Sequence, residues 1–435
     1  MSDLTRMVPT RLARLHQQYC ERYEHLRSQR LHLSLARGIP AADQVALSNR
    51  MLSLPGEGDY MAEGGVDCRN YTGLQGIVEA RRLFSGVVGV PPEQVIVAGN
   101  SSLAFMYDCI GYAWRHGMCD SERPWGKEDT VSFLCPVPGY DRHFRIAEEY
   151  GIKLIPVPLL DNGPDMVMVR NIAAHDRSVK GIWCVPKYSN PTGSVYAPDT
   201  IEALASMPTA ATDFRLFWDN AYAVHHLTEE QVEIANIVQL CEQHGYPERA
   251  LVFASTSKMT MAGSGVAVFG SSPRNVAWML DRLNIHTVGP DKLNQLRHVR
   301  FLKDEAGIRG LMNQHRAIMA PKFSEVLSIF ERELGGSGVA QWTKPKGGYF
   351  ISLDVLPGCA KRVIDLAKDA GIALTAAGAP FPGGCDPNDS NIRIAPSFAT
   401  LEQIKTAAEA ITLCVLLSTT EAILKGAPQK IQGGF

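Results

Sequence analysis

The chain has 435 residues, more than one ordinary hydrophobic core accommodates, so two domains are expected. Hydrophobic residues make up 45% and charged residues 20%, with a formal net charge of -2, so no electrostatic footprint exists for nucleic acid or an anionic membrane. The 10 cysteines lie scattered without a C-x-x-C pair, which reads as reduced thiols of a cytoplasmic protein and not a disulfide frame or a zinc site.

The first residues, Met1 to Arg6, lack an apolar signal core. From Leu4 to about Arg30 the spacing of Leu12, Leu15 and Tyr19 predicts a helix, or two helices interrupted at Pro9. Leu31 to Leu35 alternates like a short strand and ends in a turn at Arg37-Gly38-Ile39-Pro40. Pro55-Gly56-Glu57-Gly58 and Gly64-Gly65 mark loops. Gly76 to Gly86 reads as a helix with Ile77, Ala80 and Phe84 on its apolar side.

From residue 94 the pattern alternates. Strands are predicted at 94–98, 131–134, 153–157, 181–185, 216–218 and 251–254, with helices such as 103–115 and 140–150 between them. That alternation implies a mostly parallel sheet covered on both faces, with ligands at the carboxyl ends of its strands. Beyond residue 305 a smaller α+β unit follows. It has a long helix at 304–334, strands at 341–343, 349–353 and 392–395, and helices at 361–370 and 400–417. The most apolar run there, Ile411 to Leu417, is too short to cross a bilayer.

Several strand ends carry residues suited to chemistry. Ser255-Thr256-Ser257-Lys258 follows the apolar run Ala250 to Ala254, and a lysine at the mouth of a buried strand loses solvation, which frees its amine as a nucleophile. Asp219 ends Leu216-Phe217-Trp218 and is followed by Asn220-Ala221-Tyr222. Asn190-Pro191-Thr192-Gly193 follows another strand. Gly99-Asn100-Ser101-Ser102 lies between a strand and a helix, where backbone amides and the helix dipole suit a phosphate. Taken singly, each has an ordinary reading as a turn, a cap or a surface charge.

Taken in order, phosphate cup, Asn-Pro-Thr-Gly, Asp-x-x-Tyr and Ser-x-Ser-Lys resemble the fold-type I pyridoxal-phosphate aminotransferases along nearly the whole chain. The stretches Cys135 to Asp141 and Val288 to His298 are similar to a bacterial subgroup of aspartate aminotransferases. The resemblance implies an α/β fold with a large domain at 60–305 built on a mostly parallel sheet of seven-stranded type. A smaller α+β domain would combine 1–59 with 306–435. It implies pyridoxal 5'-phosphate as cofactor, carried covalently by Lys258, which would also shuttle the proton at the substrate α-carbon. Asp219 would pair with the pyridinium nitrogen. Tyr222 and Asn190 would bond the ring hydroxyl oxygen, and Tyr140 would stack on the ring. Gly99, Asn100, Ser101, Ser255 and Ser257 would cradle the phosphate, joined by Tyr71 from the partner subunit of a homodimer. Arg393 would clamp the substrate α-carboxylate beneath Gly38, and Asn190 also faces the substrate.

The reaction implied is transfer of an amino group from an L-amino acid, with L-aspartate expected, to 2-oxoglutarate. No metal is expected. One departure stands out: Met259 to Gly270 holds no arginine, where many members place one against the phosphate. The partner of a distal substrate carboxylate is open among Arg37, Arg142, Lys187 and Arg297. The same Lys, Asp and Tyr set serves β-lyases and decarboxylases of this fold. Non-catalytic cofactor-binding regulators share it too, but usually carry a basic DNA-binding module, and none precedes residue 30 here.

Overall fold

The computed structural model describes residues 3–426. Its centre is an eight-stranded sheet. In space the order is Val95–Val97, Ala267–Gly270, Ala250–Ser255, Arg215–Asp219, Val179–Cys184, Ser132–Val137, Lys153–Leu160 and the two-residue Gly163–Pro164. Only Ala267–Gly270 and the terminal Gly163–Pro164 run against the rest, so the sheet is mostly parallel. Seven strands form the body expected from sequence, and the eighth is a short hairpin return at the edge.

The inner strands are apolar without alternation because helices cover both faces. Every residue of Val179–Cys184, Arg215–Asp219 and Ala250–Ser255 is buried. The outer strand Lys153–Leu160 alternates between exposed and buried and carries Pro156 and Pro158, residues that an edge tolerates because a missing N–H there breaks no ladder.

A separate core gathers both ends of the chain. Leu4, Leu12, Tyr19, Tyr23 and Leu35 pack with residues from Met319 to Leu417. Pro9 does not interrupt the N-terminal helix but begins it: Leu4–Arg6 is a 3-10 turn, and Pro9–Ser28 is one helix with Pro at a first-turn position, where its missing N–H costs nothing. The predicted strand near residue 33 is a two-residue pairing, Leu33 with Ile372 and Ser34 with Ala373. It stitches the N-terminal segment to the C-terminal unit.

The helix Glu305–Leu334 joins the cores. Ile308, Leu311 and Met312 pack with the sheet, and Met319, Phe323 and Val326 with the terminal core. The division we propose, 60–305 against 1–59 with 306–435, is drawn just before this helix. Residues 1–2 and 427–435 of that division lie outside the described residues. The last helix, Leu401–Leu424, runs beyond the expected end at 417 and is long and apolar enough to cross a membrane by composition. Most of it is buried inside the protein, as a core helix would be.

The amino ends of the strands hold a buried polar knot. Asp213 accepts from Lys180 at 2.8 Å, Trp125 at 2.8 Å and Ser121 at 2.7 Å. Burial opposes the Asp213 carboxylate, but these hydrogen bonds outweigh it and hold its pKa below the usual value. Its stabilising contribution is therefore present above the ordinary carboxylate pKa and is lost as pH falls through the folded value. Asp213→Ala leaves the Lys180 ammonium without its nearest partner in a buried site. The expected loss is about 3 kcal/mol of stability, read as a lower unfolding midpoint, with the site at the opposite ends of the strands unchanged.

Candidate active site

The carboxyl ends of the parallel strands converge on one cleft. Parallel register sets Cys184 beside Trp218 and Phe253 beside Asp219, so Asp219 and the Ser255–Lys258 turn emerge at the same edge. Lys258 comes three residues after the strand ends at Ser255. Its ammonium nitrogen lies 4.9 Å from the centre of the Tyr222 ring and 6.0 Å from that of Tyr349. Burial lowers its pKa, and the Asp219 carboxylate opposes that shift. An amine so placed is a better nucleophile near neutral pH than a free lysine.

Asp219 is buried, and His143 holds it, with 3.0 Å between Nε2 and Oδ2. The imidazole stacks on Trp183 at 4.5 Å and 11°, and meets the Tyr140 ring edge-on at 4.9 Å. Tyr140 and Tyr222 both lie near Asp219, close enough for its charge to act on each. Burial pushes the Tyr140 phenol up to about 12 and the Tyr222 phenol well above its ordinary value, so both remain neutral hydrogen-bonding groups.

The anion cup lies at the neighbouring strand ends. Gly99 sits at φ +63°, which lets the chain turn sharply after Val95–Val97. Ser255 donates to Ser257 at 3.1 Å, and Ser257 to the Asn100 carbonyl at 3.3 Å, which joins the two halves of the cup. The helix Ser102–His116 starts there. The Ser101 side chain makes no capping bond, so the first helical amides are left for a ligand. The missing arginine has a steric reason at one position. A Cβ at Gly265 would stand 3.0 Å from Thr256 Oγ1 and 3.4 Å from the Ser257 amide. The small residue lets the loop pack on the lysine turn.

Arg393 comes from the terminal core and reaches back over the cleft. Its Nη1 donates to Asp141 at 2.9 Å and to Asn190 Oδ1 at 3.3 Å, and its Nε to Thr375 at 3.4 Å. Phe350 lies beneath the guanidinium at 5.1 Å. Gly38 packs on the same ring, and a Cβ there would meet it at 2.5 Å, so the close approach requires glycine. The structure therefore brings Lys258, Asp219, Tyr222, Tyr140, Asn190, Arg393 and Gly38 into one site, with Gly99, Asn100, Ser101, Ser255 and Ser257 along its lip. Tyr71 is not part of that cluster. Its side chain is 71% exposed, and no hydrogen bond or ring contact ties it to the site of its own chain.

Comparison with known proteins agrees with this geometry. A family model described as aspartate amino-transferase matches residues 7–427. The chain belongs to that family. It is 47% identical over 411 residues to an aspartate aminotransferase of Corynebacterium glutamicum, covering 94% of this chain and 95% of the relative. The crystal structure of an aspartate transaminase from the same organism superposes with a TM-score of 0.94 at 46% identity, covering 96% of this chain and 99% of that one. An α-aminoadipate aminotransferase of Thermus thermophilus, complexed with N-(5'-phosphopyridoxyl)-L-leucine, shares the fold at 20% identity, with a TM-score of 0.72 over 90% of this chain and 93% of that one.

Several residues of this aminotransferase's site escaped the sequence reading. His143 falls three residues after Tyr140, and the only hint was a polar residue on the buried side of an otherwise amphipathic helix. Asp141 stood beside Tyr140 without a role, yet it pairs with Arg393. Gln44 donates to Tyr349 at 3.0 Å, and the Tyr349 hydroxyl faces the Lys258 carbonyl at 3.5 Å. Gln44 also meets His315 Nδ1 at 3.1 Å, and His315 Nε2 the Met259 carbonyl at 2.8 Å. These residues lie far apart in the chain, so no local pattern marked them. His298 braces the lysine turn from behind. Its Nδ1 donates to the Asn294 carbonyl at 2.8 Å, leaving the single lone pair of Nε2, 3.1 Å from Thr256 Oγ1 and 3.0 Å from Thr260 Oγ1, to accept from one of the two hydroxyls. Burial lowers its pKa to about 4, so it stays neutral and able to accept.

Two outcomes follow in the cofactor-free protein. Asp219→Asn removes the anion facing the amine, so the pKa of Lys258 falls further, and the pH midpoint of its acylation by an amine-selective reagent moves to lower pH. An unmoved midpoint would show that Asp219 does not face the amine. His143→Leu strands a buried carboxylate oxygen and is expected to cost about 1–3 kcal/mol of stability, measured by chemical denaturation.

Proposed function

We propose that this aminotransferase binds pyridoxal 5'-phosphate through Lys258 and transfers the amino group of L-aspartate to 2-oxoglutarate. The observation that carries the reading is the buried Lys258 amine 4.9 Å from the centre of the Tyr222 ring, near enough to the Asp219 carboxylate for that charge to oppose the fall in its pKa, with Arg393 bonded to Asn190. The donor set fits the cofactor. A glycine turn with free helix amides and two serine hydroxyls suits the phosphate. The buried Asp219, braced by His143, suits a protonated ring nitrogen, and the neutral phenol of Tyr222 suits the ring hydroxyl oxygen.

When bound, the cofactor supplies an electron sink for the electrons of the substrate Cα–H bond. The protein supplies the rest. Arg393 orients the α-carboxylate with its planar fork, in place of Asp141 or beside it. Lys258, kept toward its neutral form by burial, takes the α-proton and returns it. Tyr140 and Phe350 wall the cleft against water.

Aspartate preference needs a second cation near the distal carboxylate, or a set of aligned donors. Arg297 is engaged by the Leu54 carbonyl at 2.8 Å and by Asn294 at 3.2 Å. Lys187 is buried in a separate cleft of about 980 Å³. Arg37 and Arg142 are exposed, have no ion-pair partner among the described residues, and each adjoins the clamp. Arg142 follows Asp141. Arg37 follows Ala36, whose carbonyl accepts from the Thr375 hydroxyl that Arg393 also contacts, at 2.7 Å and 3.4 Å. The relative named aspartate aminotransferase supports the donor assignment. The exposed Tyr71 supports a homodimer in which it completes the neighbouring site, and the reduced-thiol composition supports a cytoplasmic enzyme.

The test is the rate of the amino-donor half-reaction across acidic, aliphatic and aromatic amino acids, with Lys258→Ala as the inactive control. Arg393→Lys is expected to weaken every donor by roughly tenfold or more, since one point charge replaces a fork. Arg37→Gln or Arg142→Gln is expected to weaken aspartate and glutamate selectively. Aliphatic donors reacting as fast as aspartate in the unmodified protein would end the aspartate assignment and leave the aminotransferase intact.

A further inference from the structure

Lys292 opens the helix Lys292–Leu302 and is 2% exposed. A buried ammonium normally pairs with a carboxylate. This one has no ion-pair partner among the described residues. Its Nζ donates instead to two backbone carbonyls, Asn70 at 2.6 Å and Thr72 at 2.8 Å. Those carbonyls flank Tyr71 on either side, and the Tyr71 side chain is 71% exposed.

The loop needs such a fastening. Thr72 adopts φ +111°, a conformation that a β-branched residue holds only when its surroundings impose it. Gly289 packs on the same residue, and a Cβ there would come within 3.1 Å of the Thr72 carbonyl. The segment carrying Gly289 also exposes Ile285 at 80% and Val288 at 67%, so Tyr71 is not the lone apolar group left open in this region. Ile285, Val288 and Tyr71 together give a second copy of the chain an apolar surface to cover. Clamping the Asn70–Tyr71 and Thr72–Gly73 peptide groups, one on each side of Tyr71, fixes the direction in which its ring leaves the chain.

We infer that Lys292 is a positioning residue that works between subunits: it sets the Tyr71 loop so that the ring completes the site of a second copy of the chain, and it has no part in the site of its own subunit. The inference rests on the dimeric reading above. Because Lys292 acts through Tyr71, losing either one removes the same interaction.

The experiment has two arms. In the first, the cofactor-free full-length protein is titrated with pyridoxal 5'-phosphate as wild type, Tyr71→Phe, Lys292→Met and the double variant. Tyr71→Phe and Lys292→Met are each expected to weaken binding roughly ten- to a hundredfold, the range for one hydrogen bond to a charged group, with the double variant no weaker than the singles. Wild-type affinity for Lys292→Met, or losses that multiply in the double variant, would overturn the inference. Should Lys292→Met fail to fold by circular dichroism, Lys292→Gln keeps a neutral amide donor on a shorter stem: an intermediate loss that vanishes in the Tyr71→Phe background supports the inference, and wild-type affinity overturns it.

In the second arm, each variant is paired with Lys258→Ala in hybrid dimers. The Lys292→Met hybrid keeps one site with an intact Lys258 and a correctly held Tyr71 from the neighbour, so that site is expected to show wild-type kcat/KM. A hybrid as impaired as the Lys292→Met homodimer places the defect within the subunit and overturns the inference. The Tyr71→Phe hybrid separates the two readings. If it too shows no rescue, the shared site itself fails; if it is rescued and the Lys292→Met hybrid is not, only the role of Lys292 fails.

Discussion

An amine withdrawn from water opposite a single buried carboxylate is the constraint from which the rest of this site follows. Burial favours the neutral form of Lys258, and the Asp219 carboxylate opposes that shift. Asp219 in turn depends on His143, and the His143 ring is held by stacking on Trp183. Trp183 belongs to the strand beside Arg215–Asp219, and the parallel register of these strands brings Trp183 and Asp219 to one edge, where His143 reaches them from the helix Asp141–Glu149. The candidate site thus rests on neighbouring strands that are fully buried.

The second requirement is a link between two cores. Arg393 grows from the terminal core yet bonds Asn190, on the loop after Val179–Cys184, and Asp141, the first residue of the helix Asp141–Glu149 that follows Ser132–Val137. The Lys258 turn is tied back in the opposite sense. Tyr349 and His315 face the carbonyls of Lys258 and Met259, and Gln44 joins the two. The candidate site is therefore tied to both cores through polar contacts at Arg393 and at the lysine turn. Such contacts are directional, so they fix position more sharply than apolar packing alone.

Opposite ends of the same strands do different work. At the amino ends, Asp213 gathers Lys180, Trp125 and Ser121 into one hydrogen-bonded cluster. At the carboxyl ends the polar groups face a cleft and keep unused hydrogen-bonding capacity. That division follows the rule that open α/β sheets bind ligands outside the carboxyl ends of their strands.

Local order was legible in the sequence. Uninterrupted apolar runs identified the buried strands, and the turn residues after them, Lys258, Asp219, Asn190 and Gly99, are the ones found in the cleft, because a residue at a strand end is positioned by its own strand. Pro9 was misjudged because a proline reads alike as a break or a start until the preceding turn is seen. His143, Asp141, Gln44, His315 and Lys292 were invisible as functional residues, since each matters through a partner from tens to hundreds of residues away. The sequence by itself determined the strand–helix alternation, the strand-end residues and the need for glycine where the chain turns. Only the tertiary structure decided which side chains face one another, because a hydrogen bond depends on the distance and angle of two groups that folding, not chain proximity, brings together.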